Sequence, residues 1–322
     1  MVSLVPPASH PGAGGFKTIK APAKQGSTEK DATEHSEASE MSPMRFLVTG
    51  AAGQLGAVIV ERFSAFGEVT AMTRTDLDIS CESDVLRAAG QARPDVIINC
   101  SAYNQVDLAE EQAPQALAVN AFGVLALARA ANENDAVLIH YSTDFVFDGE
   151  IDRPYMESDP AAPQSNYGRS KLLGEWFAAD APLHYVLRVE SLFGGPLAKS
   201  SVDRILDAIR RGEATRVFVD RTVTPSYVVD VAEATARLLT IRPPAGVYHC
   251  VNRGVTTWLD VALEAARLLG REPNLIPTNV ASVSMPAKRP KYCALSNEKL
   301  HGVGIRMPDW QEALSRYVAG RG

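Results

Sequence analysis

The stretch RFLVTGAAGQLGAVIVERFSAFG, residues 45–67, decides how the chain is read. RFLVTG is a short apolar run closed by glycine, which predicts a buried strand, and AAGQLGAVIVERFSAFG predicts a helix ending at Gly67. Gly50, Gly53 and Gly56 recur at every third position across the junction. Glycine lets the chain turn tightly and approach a pyrophosphate closely, and the helix N-terminus offers free N–H groups to its charge. A glycine triplet that follows a strand and opens a helix therefore predicts a dinucleotide site.

Working outward, the same alternation repeats. EVTAMTR reads as a strand, ESDVLRAAGQARP as a helix, and DVIINCSA as a strand apolar on both faces. PQALAVNAFGVLALARAANEN reads as one long helix, AVLIHYST as a strand, 167–179 as a helix and HYVLRVESLF as a fifth strand. This order predicts an α/β chain with a Rossmann-type, doubly wound parallel sheet. Beyond about residue 190 the pattern loosens. SVDRILDAIRRGE, VVDVAEATARLLT and TTWLDVALEAARLLG predict helices, the last with a Thr cap and a closing Gly270, while RVFV and VYHCV predict strands. The expected division is a disordered tail at 1–43, an NAD(P)-binding unit at 44–190, and a smaller α/β substrate lobe at 191–322 that partly returns to the sheet.

Residues 1–43 hold Pro, Ala, Ser, Glu and Lys with few large apolar side chains, too little to offset ordering entropy. They read either as a true tail or as an early start, with Met44 opening the fold. The net charge of −6 advertises no surface for nucleic acid or anionic lipid. No apolar run approaches the roughly 18 residues a membrane helix needs. The four cysteines, Cys81, Cys100, Cys250 and Cys293, form no CxxC and are expected as thiols of a cytoplasmic protein.

Ligands of a doubly wound sheet lie beyond the carboxyl ends of its strands. AMTRTD closes the second strand, where an Asp or Glu would hold ribose hydroxyls. Arg74 stands there instead and suits a 2′-phosphate, so NADPH is expected ahead of NADH. The fourth strand ends in HYSTDFVFDG, residues 140–149, which puts Ser142, Thr143 and Asp144 beside a nicotinamide. SNYGRSK, residues 165–171, sets Tyr167 and Lys171 one helical turn apart on one face. Hydride arriving at a carbonyl carbon leaves an oxygen that needs a proton. Tyr167 could give it if Lys171 lowered its pKa, and Thr143 could donate to the same oxygen.

With VTGAAGQLG, LDIS, RPDVIINCSAYNQVDLAE, VNAFG, HYSTDFVFDG, PYMESDPAAPQSNYGRSKLLGE, GVYHCVNRGVTTW, RPKYCALSNEKL and PDW, the chain resembles an extended short-chain dehydrogenase/reductase, and more narrowly the dTDP-4-dehydrorhamnose reductases. The resemblance implies Thr143, Tyr167 and Lys171 as the catalytic set. It also implies Gln54 and Leu55 at the pyrophosphate, Asp78 and Ile79 near adenine, and Ser101, Ala102 and Tyr103 along the cofactor. The expected substrate is a nucleotide-linked deoxysugar, and a homodimer is one expected assembly.

Thr143-Asp144-Phe145 lacks the glutamate that follows the Thr-Asp pair in related dehydratases. The family's tryptophan after strand five is Ser191 here, Cys293 replaces the serine of an RPxxS run, and Val58 stands where some members have a magnesium-binding Glu, so no metal is expected. Asp144, Ser191 and Arg289 are expected to meet the substrate, with Lys288 beside Arg289 at the diphosphate. Two alternatives stay open: a reductase of another deoxysugar nucleotide, favoured by Ser191, and an NADP-binding partner protein like the regulatory subunit of methionine adenosyltransferase, which the intact Thr143–Tyr167–Lys171 set argues against.

Overall fold

Phe46 and Val48 face one side of a central sheet, Leu47 the other, and all three are buried. Successive side chains of a strand point to opposite faces, so a strand apolar at every position must be covered on both. The computed structural model describes residues 18–19 and 43–321. Its sheet runs, strand by strand, Thr18–Ile19, Gly67–Met72, Met44–Thr49, Val96–Asn99, Val137–Thr143, His184–Val189 and Gly246–His249. All neighbours pair in parallel except Thr18–Ile19, which adds antiparallel to Val69 and Thr70. The helices Gln54–Phe63 and Val228–Ile241 cover one face, and Glu82–Ala92 and Gly123–Glu133 the other. The winding reverses between Met44–Thr49 and Val96–Asn99, which opens a crevice at their carboxyl ends.

The doubly wound parallel sheet is the fold expected, and Gly246–His249 returns to it from the second half of the chain. Several local readings need correction. The first helix stops at Phe63, where Ser64 turns its hydroxyl back to the Val60 carbonyl at 2.7 Å. Gly67 is not its cap but the first residue of the next strand, where a Cβ would lie 2.0 Å from the Met44 carbonyl oxygen. The long helix is broken into Ala113–Leu117, a π turn at Ala118–Phe122, and Gly123–Glu133. HYVLRVESLF is two strands, because Ser191 takes a left-handed φ of 44° that ends His184–Val189 and redirects Leu192–Phe193 to pair with Ser226–Tyr227.

The tail reading also changes at one point. Thr18–Ile19 forms an edge strand whose backbone adds to the open edge of Gly67–Met72. The rest of 1–43, Pro43 aside, lies outside the described residues. The expectation that no apolar run has membrane-spanning length is corrected as well. The helical run Ala113–Glu133, 21 residues whose most apolar 18-residue stretch has a mean hydropathy of 1.2, meets that length and composition, and half of that stretch is buried. Ala126, Leu127, Ala130 and Ala131 lie fully in the core beneath the sheet, which accounts for their apolar character.

A third apolar cluster joins Phe193, Ile205, Leu206, Trp258, Val261, Ala265 and Leu314 in the second half of the chain. The helix Trp258–Leu269 starts where the Thr257 hydroxyl accepts the Asp260 N–H at 3.2 Å and ends at left-handed Gly270, as its sequence predicts.

Candidate active site

Thr49, Asn99 and His140 stand in register on three adjacent strands. Being in register, they share one face of the sheet near its carboxyl edge, and they join there. Thr49 Oγ1 donates to Asn99 Oδ1 at 2.8 Å, and Asn99 Nδ2 lies 3.0 Å from His140 Nδ1. His140 Nε2 is 3.4 Å from Lys171 Nζ, which donates to the Tyr141 carbonyl at 2.6 Å. Lys171 is 2% exposed. Burial pushes its ammonium down to about 8, opposed by Glu175 one turn along the helix. Burial and Lys171 together hold His140 well below its usual pKa, so it is neutral.

The helix Asn166–Ala178 begins beside this row. Ser165 caps it by accepting the Gly168 N–H at 3.1 Å, and Asn166 N–H donates to Glu110 Oε1 at 2.8 Å. A Cβ on Gly168 would meet the Phe145 carbonyl oxygen at 2.3 Å, and one on Gly174 the Asn120 carbonyl oxygen at 2.1 Å. Only glycine at these two places lets the helix press onto the Asp144–Val146 turn and onto the π turn. Asn120, in that π turn, holds the Tyr103 N–H and carbonyl at 2.8 and 2.9 Å and donates to Ser170 Oγ at 3.0 Å.

Thr143 ends its strand with Oγ1 donating to Asp144 Oδ1 at 2.9 Å, and the Phe145 ring meets the Tyr167 ring edge-on at 5.6 Å. Thr143, Tyr167 and Lys171 are thus brought to one end of one strand. One expectation is reversed here: Lys171 was to lower the Tyr167 pKa. Burial and the nearby Asp144 carboxyl instead raise the Tyr167 phenol above its usual value, with the Thr143 hydroxyl working the other way. The Lys171 ammonium is turned to the Tyr141 carbonyl and His140.

The Gly-rich turn fits a dinucleotide phosphate. Gly50 has a φ of 66°, and a Cβ there would lie 2.7 Å from the backbone of Cys100 and Ser101; a Cβ on Gly56 would lie 2.2 Å from the Gly50 carbonyl oxygen. The helix from Gln54 has no side-chain cap and no acidic residue in its first turn, so its leading N–H groups face an anion site uncontested. Arg74 is exposed past the strand Gly67–Met72, while Asp76 bends back to the Thr73 N–H and hydroxyl at 2.9 and 2.6 Å.

Other expected residues fall in varied places. Gln54 spends its amide on the Gly194 carbonyl at 2.9 Å, and Leu55 and Ile79 are buried in the core. Asp78 is exposed and accepts from Ser80 at 2.7 Å. Ser101 N–H donates to Asn99 Oδ1 at 3.0 Å, and Ala102 is exposed beside it. Arg289 grips Asp107 with two hydrogen bonds of 2.7 Å, so a diphosphate would compete with a carboxylate already in place, and Lys288 donates to Gln164 at 3.1 Å.

Two residues at the site carry no sequence signal. Glu190 is 1% exposed, accepts the Thr224 N–H at 2.5 Å and is hydrogen-bonded by the Ser191 hydroxyl. Arg221 sits 5.6 Å over the Phe145 ring and donates to Cys293 Sγ at 3.5 Å through Nε and Nη2. Burial lifts Asp144 and Glu190 above the usual carboxylate range, and each is pulled back by Arg221.

A Rossmann-type sheet with a Gly-rich first turn and Thr, Tyr and Lys at the end of its fourth parallel strand defines the class of the extended short-chain dehydrogenases/reductases. The family model described as the RmlD substrate binding domain matches residues 44–321. The chain is 37% identical over 279 residues to a probable dTDP-4,6-dihydroxy-2-methyloxan-3-one 4-ketoreductase of Streptomyces antibioticus, covering 84% of this chain and 93% of that one. It is 36% identical over 289 residues to a dTDP-4-dehydrorhamnose reductase of Streptomyces griseus, covering 85% and 94%. A crystal structure of the dTDP-4-dehydrorhamnose reductase of Bacillus anthracis in complex with NADP superposes with a TM-score of 0.83 at 30% identity, covering 87% and 100%. The chain belongs to the dTDP-4-dehydrorhamnose reductase family.

Proposed function

We propose that this oxidoreductase uses NADPH to reduce the 4-keto group of a nucleotide-linked deoxysugar, with dTDP-4-dehydro-L-rhamnose as the expected substrate. The observation that carries the reading is the meeting of Thr143, Tyr167 and Lys171 beside the crevice that the Gly-rich turn opens. NADPH would lie along Gly50–Gly56 and Ser101–Tyr103, with Arg74 at its 2′-phosphate, and supplies the hydride when bound. Thr143 turns its one hydroxyl hydrogen from Asp144 Oδ1 to the carbonyl oxygen, and Tyr167 delivers a proton as that oxygen gains charge. The raised pKa of Tyr167 keeps the phenol in the donor form at neutral pH. Lys171, held on the Tyr141 carbonyl, presents a fixed cation to the nicotinamide ribose.

The division into a cofactor unit at 44–190 and a substrate lobe at 191–322 belongs to the same reading, as does a homodimer. All four cysteines are free thiols, which suits a cytoplasmic setting. Ser191, standing where the family's tryptophan is expected, favours a second reading, a reductase for another dTDP-deoxysugar. NADPH oxidation against a panel of dTDP-4-keto sugars tests both. Turnover of at least one sugar is expected, with kcat/KM for NADH at least about tenfold below that for NADPH, a factor of ten being about 1.4 kcal/mol. Tight NADP binding without turnover of any sugar would favour a binding subunit and overturn the proposal.

The pH profile gives a further expectation. Lys171 loses its proton near pH 8 in the free enzyme. Its cationic form prevails below that pH, so kcat/KM should hold toward neutrality and fall about tenfold per unit above pH 8. A profile flat to pH 10 would show that the lysine charge is not used.

A further inference from the structure

The Asn99 amide has one orientation that satisfies its neighbours. The Ser101 backbone N–H, which can only donate, meets Asn99 Oδ1 at 3.0 Å, and Thr49 Oγ1 gives its hydrogen to the same oxygen at 2.8 Å. The amide nitrogen is therefore the end turned to His140, and Nδ2 donates to His140 Nδ1 at 3.0 Å. A neutral imidazole that accepts at Nδ1 carries its proton on Nε2. That N–H faces Lys171 Nζ, 3.4 Å away. Thr49, Asn99, His140 and Lys171 are all buried, so bulk water does not relieve the contact.

An ammonium has three donors and no acceptor. A charged Lys171 donates to the Tyr141 carbonyl at 2.6 Å and meets a second donor in His140 Nε2–H. A neutral amine would satisfy both, giving to Tyr141 and accepting from His140. The free site thus weakens the charge on Lys171, and the hydroxyls of a cofactor ribose would reverse the balance by accepting from Nζ. The other charges around Lys171 are engaged. Glu175, which favours the ammonium, is held by Arg188 at 2.7 Å and by Ser142 at 2.5 Å. Asp144 accepts from Thr143, Glu110 accepts the Asn166 N–H, and Arg129 pairs with Glu82. Burial keeps Tyr167, one turn before Lys171, as the neutral phenol. We propose that His140 is a positioning residue for Lys171: fixed as the Nε2–H tautomer through Asn99, it couples cofactor binding to the uptake of a proton by Lys171. The inference rests on the reductase reading above and adds a linkage to it. A cofactor that prefers the charged lysine must, by reciprocity, raise its proton affinity.

The test is calorimetry of NADP binding at pH 8 in two buffers of different ionisation heat. At that pH the 2′-phosphate has already lost its second proton, which leaves near pH 6. Lys171, at about 8, is half charged in the free enzyme. The wild type should take up about 0.5 proton per NADP bound. His140→Asn keeps an acceptor for Asn99 and removes the Nε2–H, so Lys171 is charged beforehand and uptake should fall below about 0.2 proton. The alkaline limb of kcat, which reports the bound enzyme, should lie at least about one pH unit above that of kcat/KM in the wild type, and the gap should close in the variant. A histidine that only filled space would alter affinity or melting temperature and leave the proton count alone. Turnover without proton uptake in the wild type overturns the coupling and leaves the reductase reading standing. Failure to bind NADP overturns both. Uptake retained by the variant overturns the assignment to His140. If the variant does not fold, ¹⁵N spectra of the wild type decide. The imidazole whose ring proton lies against the Lys171 side chain should carry it on Nε2, and a ring protonated at Nδ1 overturns the proposal.

Discussion

Tyr167→Phe is expected to lower kcat by about 10²–10⁴, the range general acid catalysis supplies. The substitution removes one oxygen. The Phe145 ring still meets the ring at 167, the Ser165 cap and the close approach of Gly168 are untouched, and the melting temperature should stay near that of the wild type. KM should change little, since the proton is delivered only as the carbonyl oxygen becomes an alkoxide, and loss of an interaction made in the transition state appears in kcat. Near-normal turnover by the variant would move the proton donor elsewhere, with Asp144 the next group to examine.

Arg188→Met should cost about 3–5 kcal/mol of stability, because it strands a buried carboxylate. Arg188 reaches Glu175 through Nε at 2.9 Å and Nη2 at 2.7 Å, and the two side chains are 6% and 3% exposed. Glu175 also accepts from Ser142 at 2.5 Å, and Arg188 lies 4.9 Å over the Phe147 ring. A fall in melting temperature of about 6 °C or more is the expected reading. Replacing both partners, Arg188→Met with Glu175→Leu, should recover part of the loss, since an apolar pair can fill the space of a buried ion pair. A loss below about 1 kcal/mol in the single variant would show the pair to be dispensable. The double variant has a second readout. Glu175 raises the Lys171 pKa, so its removal should shift the alkaline limb of kcat/KM to lower pH.

Much of the fold was legible because parallel strands covered on both faces must be apolar at every position, and VIIN and VLIHYST say so directly. The helix Trp258–Leu269 was legible through its Thr257 cap and Gly270. What periodicity could not show was the backbone departing from regular form. Nothing in AVNAF marks a π turn, and Ser191 is not a residue type that announces a left-handed φ. At the site, Thr143, Tyr167 and Lys171 lie within two short runs, and helical spacing alone relates the last two. Asn99 and His140 stood inside quoted runs, but their pairing depends on strand register, which a sequence read alone does not supply. Glu190 and Arg221 come from separate segments joined only by the fold. The direction of the Tyr167 shift was not legible because burial, and after it the Asp144 carboxyl across the helix–strand contact, raise the phenol, and both depend on the folded packing.

The π turn at Ala118–Phe122 has a consequence for how such chains can diverge. A π turn holds one residue more than the α-helical path it interrupts. Deleting a single residue there would let the helix run through unbroken, a change that scoring by similarity would hardly register. The same deletion would rotate Asn120 by about 100°, given about 3.6 residues per turn, away from Tyr103 and Ser170. The tie between the loop at 101–103 and the helix bearing Tyr167 and Lys171 would be cut without any catalytic side chain being altered.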